Sequence, residues 1–486
     1  MDERPILPSD VRASLPPVVQ AYVVFLEEEM TVLRDQVTTL HAAVATVQGQ
    51  LADAQARAQQ HSGNSSRPPS TDLPAAPPRP KQPSSGRKRG GQKGHPGHTR
   101  LQLSADTIAA IVTHRPLQCP SCTLPLDAAL PTEGDPICQQ VWEIPAVVAQ
   151  VTEHRGYGVR CPHCAVLVPA PDLPDGAFGP RLTAVGSVLH GRFRLSMRET
   201  AGVLGDLFGV PIGVGSVSSL CQETSSALDD AYLAVAAQVT AAAHVNVDET
   251  GWKQAGARRW LWTAVAANCT RFLVATRRNA AVLPALLGDT FAGLVSSDRY
   301  GVYRQIPIER RQVCLAHLKR NITAFAERGG PVGDWGTDVS TTFDKVFAAW
   351  HDFTDGGRDR ARLIETITPL QSKIHRLIDH GKHHFSWQPQ SFCADVSTLE
   401  PALWSFVTTD GVEPTNNAAE RALRPAVLWR KGCFGAESDD GNVFVARILT
   451  VRETCRQQHK HLLSFLTDAI IAYRGGLSPP PLLASP

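Results

Sequence analysis

Residues 26–58 repeat apolar side chains at alternating intervals of four and three: Leu26, Met30, Leu33, Val37, Leu40, Val44, Val47, Leu51, Ala54 and Ala58. Leu26, Leu33 and Leu40 take d positions, with Val37 and Val44 at a. That arrangement predicts a parallel two-stranded coiled coil over 15–62. A helix folded onto its own domain is the plainer alternative, and a strict 3.5 period over this length favours the zipper. The pattern then stops. Residues 63–104 are rich in Ser, Pro and Gly, with too little apolar surface for a core, and are predicted to be a disordered arm. After a β-rich stretch and a helical one, the period turns strand-like at His244. His244–Thr250, Arg259–Ala266 and Arg271–Thr276 read as strands, Asn279–Leu287 as a helix, and Gly293–Asp298 as a fourth strand. Three strands, a helix and a further strand ending in an acid match the order of an α/β ribonuclease H-like fold. In that order the first and fourth strands lie side by side.

The 486 residues exceed one ordinary domain, and an apolar fraction of 43% is enough to build cores. The predicted chain is multidomain: coiled coil 15–62, basic arm 63–104, zinc-binding β module 105–170, and a helical region 178–240. An α/β catalytic domain 241–458 follows, with a helical insertion at about 330–410, then a C-terminal helix and tail 459–486. Within 178–240, Met197–Phe208, Gly209–Gly213 and Val214–Glu223 read as helix, turn, helix. That shape suits a DNA groove, and a plain helical connector fits it equally.

Net charge is only +2, so its distribution matters more than its total. From Leu73 to Ala105 there is no Asp or Glu, while seven Lys and Arg fall there, including Arg87, Lys88, Arg89 and Lys93. Such a stretch draws polyanions by counterion release, and these four residues are candidate DNA contacts. The first residues hold no apolar signal core, and no run approaches a membrane span. A cytoplasmic, nucleoid-associated location is expected, with no membrane partner.

Four of the eleven cysteines form the pairs Cys119-Pro-Ser-Cys122 and Cys161-Pro-His-Cys164. Two such pairs make a four-sulfur shell for one structural zinc ion. His163 is an alternative ligand. The 38 residues between the pairs exceed the usual ribbon spacing, and an extended hairpin over Val141–Val159 is expected to fill the gap.

Asp248 and Asp298 close two predicted strands. Carboxylates on neighbouring strand ends repel unless a divalent cation lies between them. Glu420, in Glu413-Pro-Thr-Asn-Asn-Ala-Ala-Glu420-Arg421-Ala-Leu-Arg424, is the third candidate. Read alone it also fits a capping box with Asn417 or a surface pair with Arg424.

The order of parts resembles the insertion sequence 66 family of transposases. The matching segments are Asn64-Ser-Ser-Arg-Pro-Pro-Ser70, Gly90-Gly-Gln-Lys-Gly-His95 and the two cysteine pairs around Glu143-Ile-Pro145. In the core they are Val247-Asp-Glu-Thr-Gly-Trp252, Ser297-Asp-Arg-Tyr300, Cys314-Leu-Ala-His317 and Thr415-Asn-Asn-Ala-Ala-Glu-Arg421. The resemblance implies a DDE transposase whose acidic triad is Asp248, Asp298 and Glu420. It would cleave DNA and transfer strands with two magnesium or manganese ions on those acids. Asp248 would bridge the ions, Asp298 would hold the nucleophile-side ion, and Glu420 the other. His317, Arg421 and Arg424 are candidate helpers at the scissile phosphate, and His317 also fits a structural role. Implied partners are double-stranded DNA (element ends and target), a second copy of the chain, and accessory proteins of the same element. Two departures stand out: Lys93 where Pro is expected, and Arg299 after the second Asp where a small residue is usual. The competing readings are a hydrolysis-only nuclease of the same fold and an inactive zinc-dependent DNA-binding protein derived from a transposase.

Overall fold

The computed structural model describes residues 7–61, 64, 101–174, 176–357, 359–385 and 387–483. Most of the arm, with Arg87, Lys88, Arg89 and Lys93, lies outside the described residues.

A short helix α1 (Ser9–Ser14) precedes α2 (Pro17–Ala58), a single helix of 42 residues. Its d-position leucines stay in contact with solvent: Leu33 is 54% exposed and Leu40 63%. The expected helix is present, and among the described residues most of its apolar stripe is left uncovered. Next come β1 (Val159–Arg160) and β2 (Leu167–Val168), an antiparallel pair. The hairpin expected over Val141–Val159 does not form: only Val159 enters a strand, paired with Val168 across the second cysteine turn, and side chains such as Ile144 and Val151 stand in solvent, with no burial to hold an extended ladder.

Four helices follow: α3 (Pro180–Gly191), α4 (Met197–Phe208), α5 (Val214–Ala227) and α6 (Asp229–Thr240). Ser196 and Glu199 form a reciprocal capping box that starts α4, and Gly209, at φ 66°, ends it in a left-handed turn. The helix-turn-helix shape is therefore present. Its second helix, α5, packs on α3 and α4 and bears no Lys or Arg, surroundings that suit a connector.

The centre is a mixed five-stranded sheet in the order β5-β4-β3-β6-β7. β3 (His244–Gln254), β4 (Ala257–Val265) and β5 (Thr270–Ala275) form an antiparallel meander. After α7 (Val282–Leu287), β6 (Leu294–Ser297) pairs parallel to β3, and β7 (Arg311–Val313) parallel to β6. The first and fourth strands of the domain are thus neighbours, as the pattern predicted. The fifth strand, β7, is three residues long, too short for a period of two to register in the sequence.

β7 runs into the insertion: α8 (Leu315–Ala326), α9 (Gly330–Gly356), α10 (Arg360–His384), α11 (Trp387–Thr398) and the short α12 (Ser405–Thr408). These helices close their own core around Trp335, Phe343, Ile374 and Phe406. The excursion returns where it began, with Leu315 N–H donating to the carbonyl of Pro414 over 2.9 Å. α13 (Asn417–Cys433) then crosses β3, α14 (Asp439–Gln457) covers β5, and α15 (Leu462–Arg474) packs on α3 and α5. One core joins Val188 of α3, Cys221 of α5, Val247, Trp262, Trp429 and Ile448. The helical region 178–240, expected as a separate unit, therefore shares the sheet's core. Its apolar faces are too broad for four short helices to cover alone.

The far end of α2 docks on the insertion. A Cβ at Gly49 would meet the indole of Trp387 at 2.3 Å, so only glycine admits the ring there. Asp53 accepts from Arg328 over 3.1 Å and from the backbone N–H of Gln388 over 3.0 Å.

Candidate active site

Asp248 does not end its strand, as the pattern suggested. It sits in mid-β3, opposite Thr263, because the β3–β4 hairpin continues to Gln254 and Ala257. What ends there is the parallel partner. The β3–β6 register pairs Asn246 with Ser296, and β6 stops at Ser297, so Asp248 and Asp298 stand at one level of the sheet. The carboxylate of Asp298 accepts from its own loop, from the N–H of Tyr300 over 2.9 Å.

Glu420 lies on the first turn of α13, near enough for its charge to act on Asp248. Neither plain reading of it survives. The helix begins after Asn416 with no side-chain cap, and Glu420 makes no ion pair with Arg424. Its Oε1 instead lies 3.5 Å from both His317 Nε2 and Arg320 Nη2 of α8. Asn416 ties the elements together. It is fully buried, its Nδ2 donates to the Val247 carbonyl over 2.8 Å, and its N–H donates to Cys314 Sγ over 3.2 Å.

The electrostatics are those of crowded acids. Burial pushes the Asp248 carboxyl well above the usual range, and the charges of Glu249, Asp298 and Glu420 push it further. Asp298 is raised by burial, against the pull of the Tyr300 N–H and of Arg278, Arg299 and Arg311. His317 is driven down to about 3 by burial and by Arg320, so it is neutral at physiological pH. Among the described residues, its Nδ1 has no hydrogen-bond partner.

A fourth acid, Glu249, adjoins Asp248 on β3. It is buried, accepts from Arg278 over 2.6 and 2.8 Å, and takes the Tyr303 hydroxyl at 2.5 Å. Arg278 is sandwiched, 3.9 Å from the Tyr300 ring and 4.7 Å from that of Trp260. The available signal was strand alternation: if Asp248 faces one side of β3, Glu249 faces the other and requires a cation of its own. Arg299 does not intrude on Asp298. It turns to the insertion, pairs with Asp395 of α11 and stacks on Phe392 at 5.0 Å. Arg421 and Arg424 are exposed, and neither pairs with any described residue.

Each cysteine pair occupies a tight turn of the same build. Cys119 N–H donates to the Leu124 carbonyl and Thr123 N–H back to Cys119; Cys161, Val166 and Ala165 repeat the arrangement. Thr123 and Ala165 both take the left-handed region, at φ 59° and 57°. Backbone N–H groups inside each turn aim at the first sulfur and lower the thiol pKa of Cys119 and Cys161. Cys138 lies apart and exposed. Among the described residues, no group of three or more His, Cys, Asp or Glu is gathered closely enough to hold a metal ion. No described helix is long and apolar enough to cross a membrane.

Neighbouring parallel strands thus present two aspartates at one level, and a later helix carries the glutamate. Comparison with known proteins bears on the class. The family described as "Transposase IS66 family" matches residues 175–443, more than half of the chain, and a family of unknown function, DUF6444, matches residues 15–101. The chain belongs to the IS66 transposase family. Among curated relatives, it is similar to the uncharacterized protein y4hP of Sinorhizobium fredii, 23% identical over 411 residues, covering 74% of this chain and 71% of that one. It is also similar to the uncharacterized protein y4qI of the same organism, 24% identical over 196 residues, covering 37% of this chain and 36% of that one.

Proposed function

We propose that this protein is a DNA transposase that binds the ends of its element, cleaves there, and joins the freed end to target DNA on a ribonuclease H-like core. The observation that carries this is the register that sets Asp248 and Asp298 at one level of the sheet, with the Asn416–Val247 bond tying the start of the Glu420 helix to the same strand. The charges of Asp298 and Glu420, borne on other elements, both act on Asp248, and among the described residues no lysine or arginine forms an ion pair with it. A hard-oxygen donor set with excess negative charge fits magnesium or manganese. When bound there, two such ions lower the pKa of attacking water and offset charge on the leaving oxygen.

The chain's own residues do the rest. Asp248, Asp298 and Glu420 would hold the ions. Arg320 and neutral His317 orient the Glu420 carboxylate, and Arg278 and Tyr303 hold the Glu249 carboxylate on their side of β3. Water attacks the phosphodiester, the P–O3′ bond breaks, and a 3′-hydroxyl is left on the element end. That hydroxyl then attacks a target phosphodiester, displacing its 3′-oxygen. α2 is read as the dimer contact that pairs two ends, the arm as a DNA contact, and the four paired cysteines as ligands of one structural zinc ion. The cytoplasm is the working compartment, and accessory proteins of the same element are expected partners.

Asp248→Ala, Asp298→Ala and Glu420→Ala should each abolish cleavage and strand transfer on end-bearing DNA while binding persists. A variant that still cuts within about tenfold of wild type, ~1.4 kcal/mol of barrier, removes that residue from the metal site. Strand cleavage without any joining would leave a hydrolytic nuclease instead.

A further inference from the structure

We infer that a track of arginine and lysine along α13 and onto the α3–α4 turn is a second binding site, for the phosphate backbone of duplex DNA flanking the cut. The track begins beside Glu420. Arg421, Arg424, Leu428 and Lys431 are all exposed on α13, spaced three, four and three residues apart, and so share one face. Between Arg421 and Lys431 that face runs about 15 Å, some four base pairs of duplex. The three cations have no partner among the described residues.

At its far end α13 meets the α3–α4 turn, where Cys433 Sγ donates to the Arg194 carbonyl over 3.6 Å. A second approach adds α14. A Cβ at Gly191 would meet Ile448 at 2.6 Å, so α3 and α14 touch there. Arg192 therefore emerges about one helical turn from Arg452. Four arginines converge: Arg192, Arg194, Arg452 and Arg456. The acid bonded among them is Glu453, 3.7 Å from Arg452 and 2.8 Å from Arg456. It does not balance them. Arg452 Nη1 is buried with no partner among the described residues, and burial together with the charges of Arg192, Arg194 and Arg456 lowers the Arg452 pKa. Arg198 and Phe193 are exposed alongside, and the nearby Glu199 is held in the capping box of α4.

Cations kept together against their own repulsion, continuous with a line of unpaired ones leading from the carboxylates, suit a polyanion of regular charge spacing. Duplex DNA has that property, and the inference rests on the proposed transposase reading for its presence. Contacts of this kind fix register on the duplex without reading its bases.

The test uses the full chain and a 40-base-pair duplex of unrelated sequence, with affinity measured across a potassium chloride series. Combined Arg192→Ser, Arg198→Ser, Lys431→Ser and Arg456→Ser, all at exposed positions, should weaken binding by roughly 30-fold or more. It should also flatten the slope of log K against log salt by about 3 to 4, at ~0.9 per lost phosphate contact. Lys345→Ser with Arg362→Ser and Arg376→Ser, on the insertion, should change affinity less than about twofold. Unchanged affinity and slope in the track variant, or an equal loss in the insertion variant, would overturn the track. Phenylglyoxal modification of wild-type Arg192 and Arg456, expected to slow when duplex is present, gives a readout free of any folding defect. Failure here with cleavage still dependent on Asp248 removes the track and leaves the transposase reading; binding through the track with no cleavage does the reverse.

Discussion

The side-chain amide of Asn416 donates to the backbone carbonyl of Val247 across 2.8 Å, and 169 residues of sequence separate the two. One partner immediately precedes Asp248, and the other opens the helix that carries Glu420. This bond ties the strand that carries Asp248 to the start of the helix that carries Glu420.

Asn416→Ala should therefore cost more in chemistry than in binding. Losing a buried hydrogen bond and leaving the Val247 carbonyl unpaired costs about 1–3 kcal/mol of stability, read by urea unfolding. Cleavage should fall at least about tenfold beyond that, because a small displacement of Glu420 misplaces a reacting atom. Cleavage within twofold of wild type at saturating DNA would show that α13 keeps its position without this bond.

The crowded acids predict a pH and metal dependence. Asp248, Glu249 and Asp298 are all raised in the fold, Asp248 and Asp298 from 3.8 and Glu249 from 4.5. The folded chain thus binds protons that the unfolded chain has released. The stability they contribute is complete below the unfolded values and is lost as pH rises through the raised folded ones. At pH 8 without divalent ions, Asp248→Asn should be at least as stable as wild type. Millimolar magnesium should raise the wild-type melting temperature, by an amount set by ~2.7 kcal/mol at a hundredfold excess over Kd, and leave the variant unmoved. Equal magnesium stabilisation of both proteins would place the ion elsewhere.

The exposed stripe of α2 predicts a dimer. Full-length protein should sediment as a dimer or larger, and Leu33→Glu with Leu40→Glu should shift it to monomer, since both leucines stand open to solvent in the single chain. Pairing of two DNA ends should then fail while binding of one end is retained. A monomeric wild-type protein at tens of micromolar would refute the zipper.

The matched cysteine turns predict one zinc ion per chain in protein purified without chelator. Cys119→Ser should lose it and increase proteolysis within 105–170, because a metal joining both turns orders the segment between them. Stoichiometric zinc retained in that variant would exclude Cys119 as a ligand.

Much of this was written locally. The 3.5-residue period of α2, the alternation in β3, β4 and β5, and the Cys-x-x-Cys turns depend on neighbours within a few residues, so composition and spacing sufficed to find them. The three acids could be named from their surrounding segments, and the adjacency of β3 and β6 followed from element order. The sequence did not determine who faces whom. Only the closed fold decided that Glu420 meets His317 and Arg320 rather than Arg424, and that Asn416 bridges to β3 rather than capping its helix. Glu249 acquires Arg278 and Tyr303 in the same way, and Arg299 turns toward Asp395. Each of these contacts joins residues separated by 29 to 169 positions or more than one element. A period of two or 3.6 carries no information over such distances; burial in a shared core does.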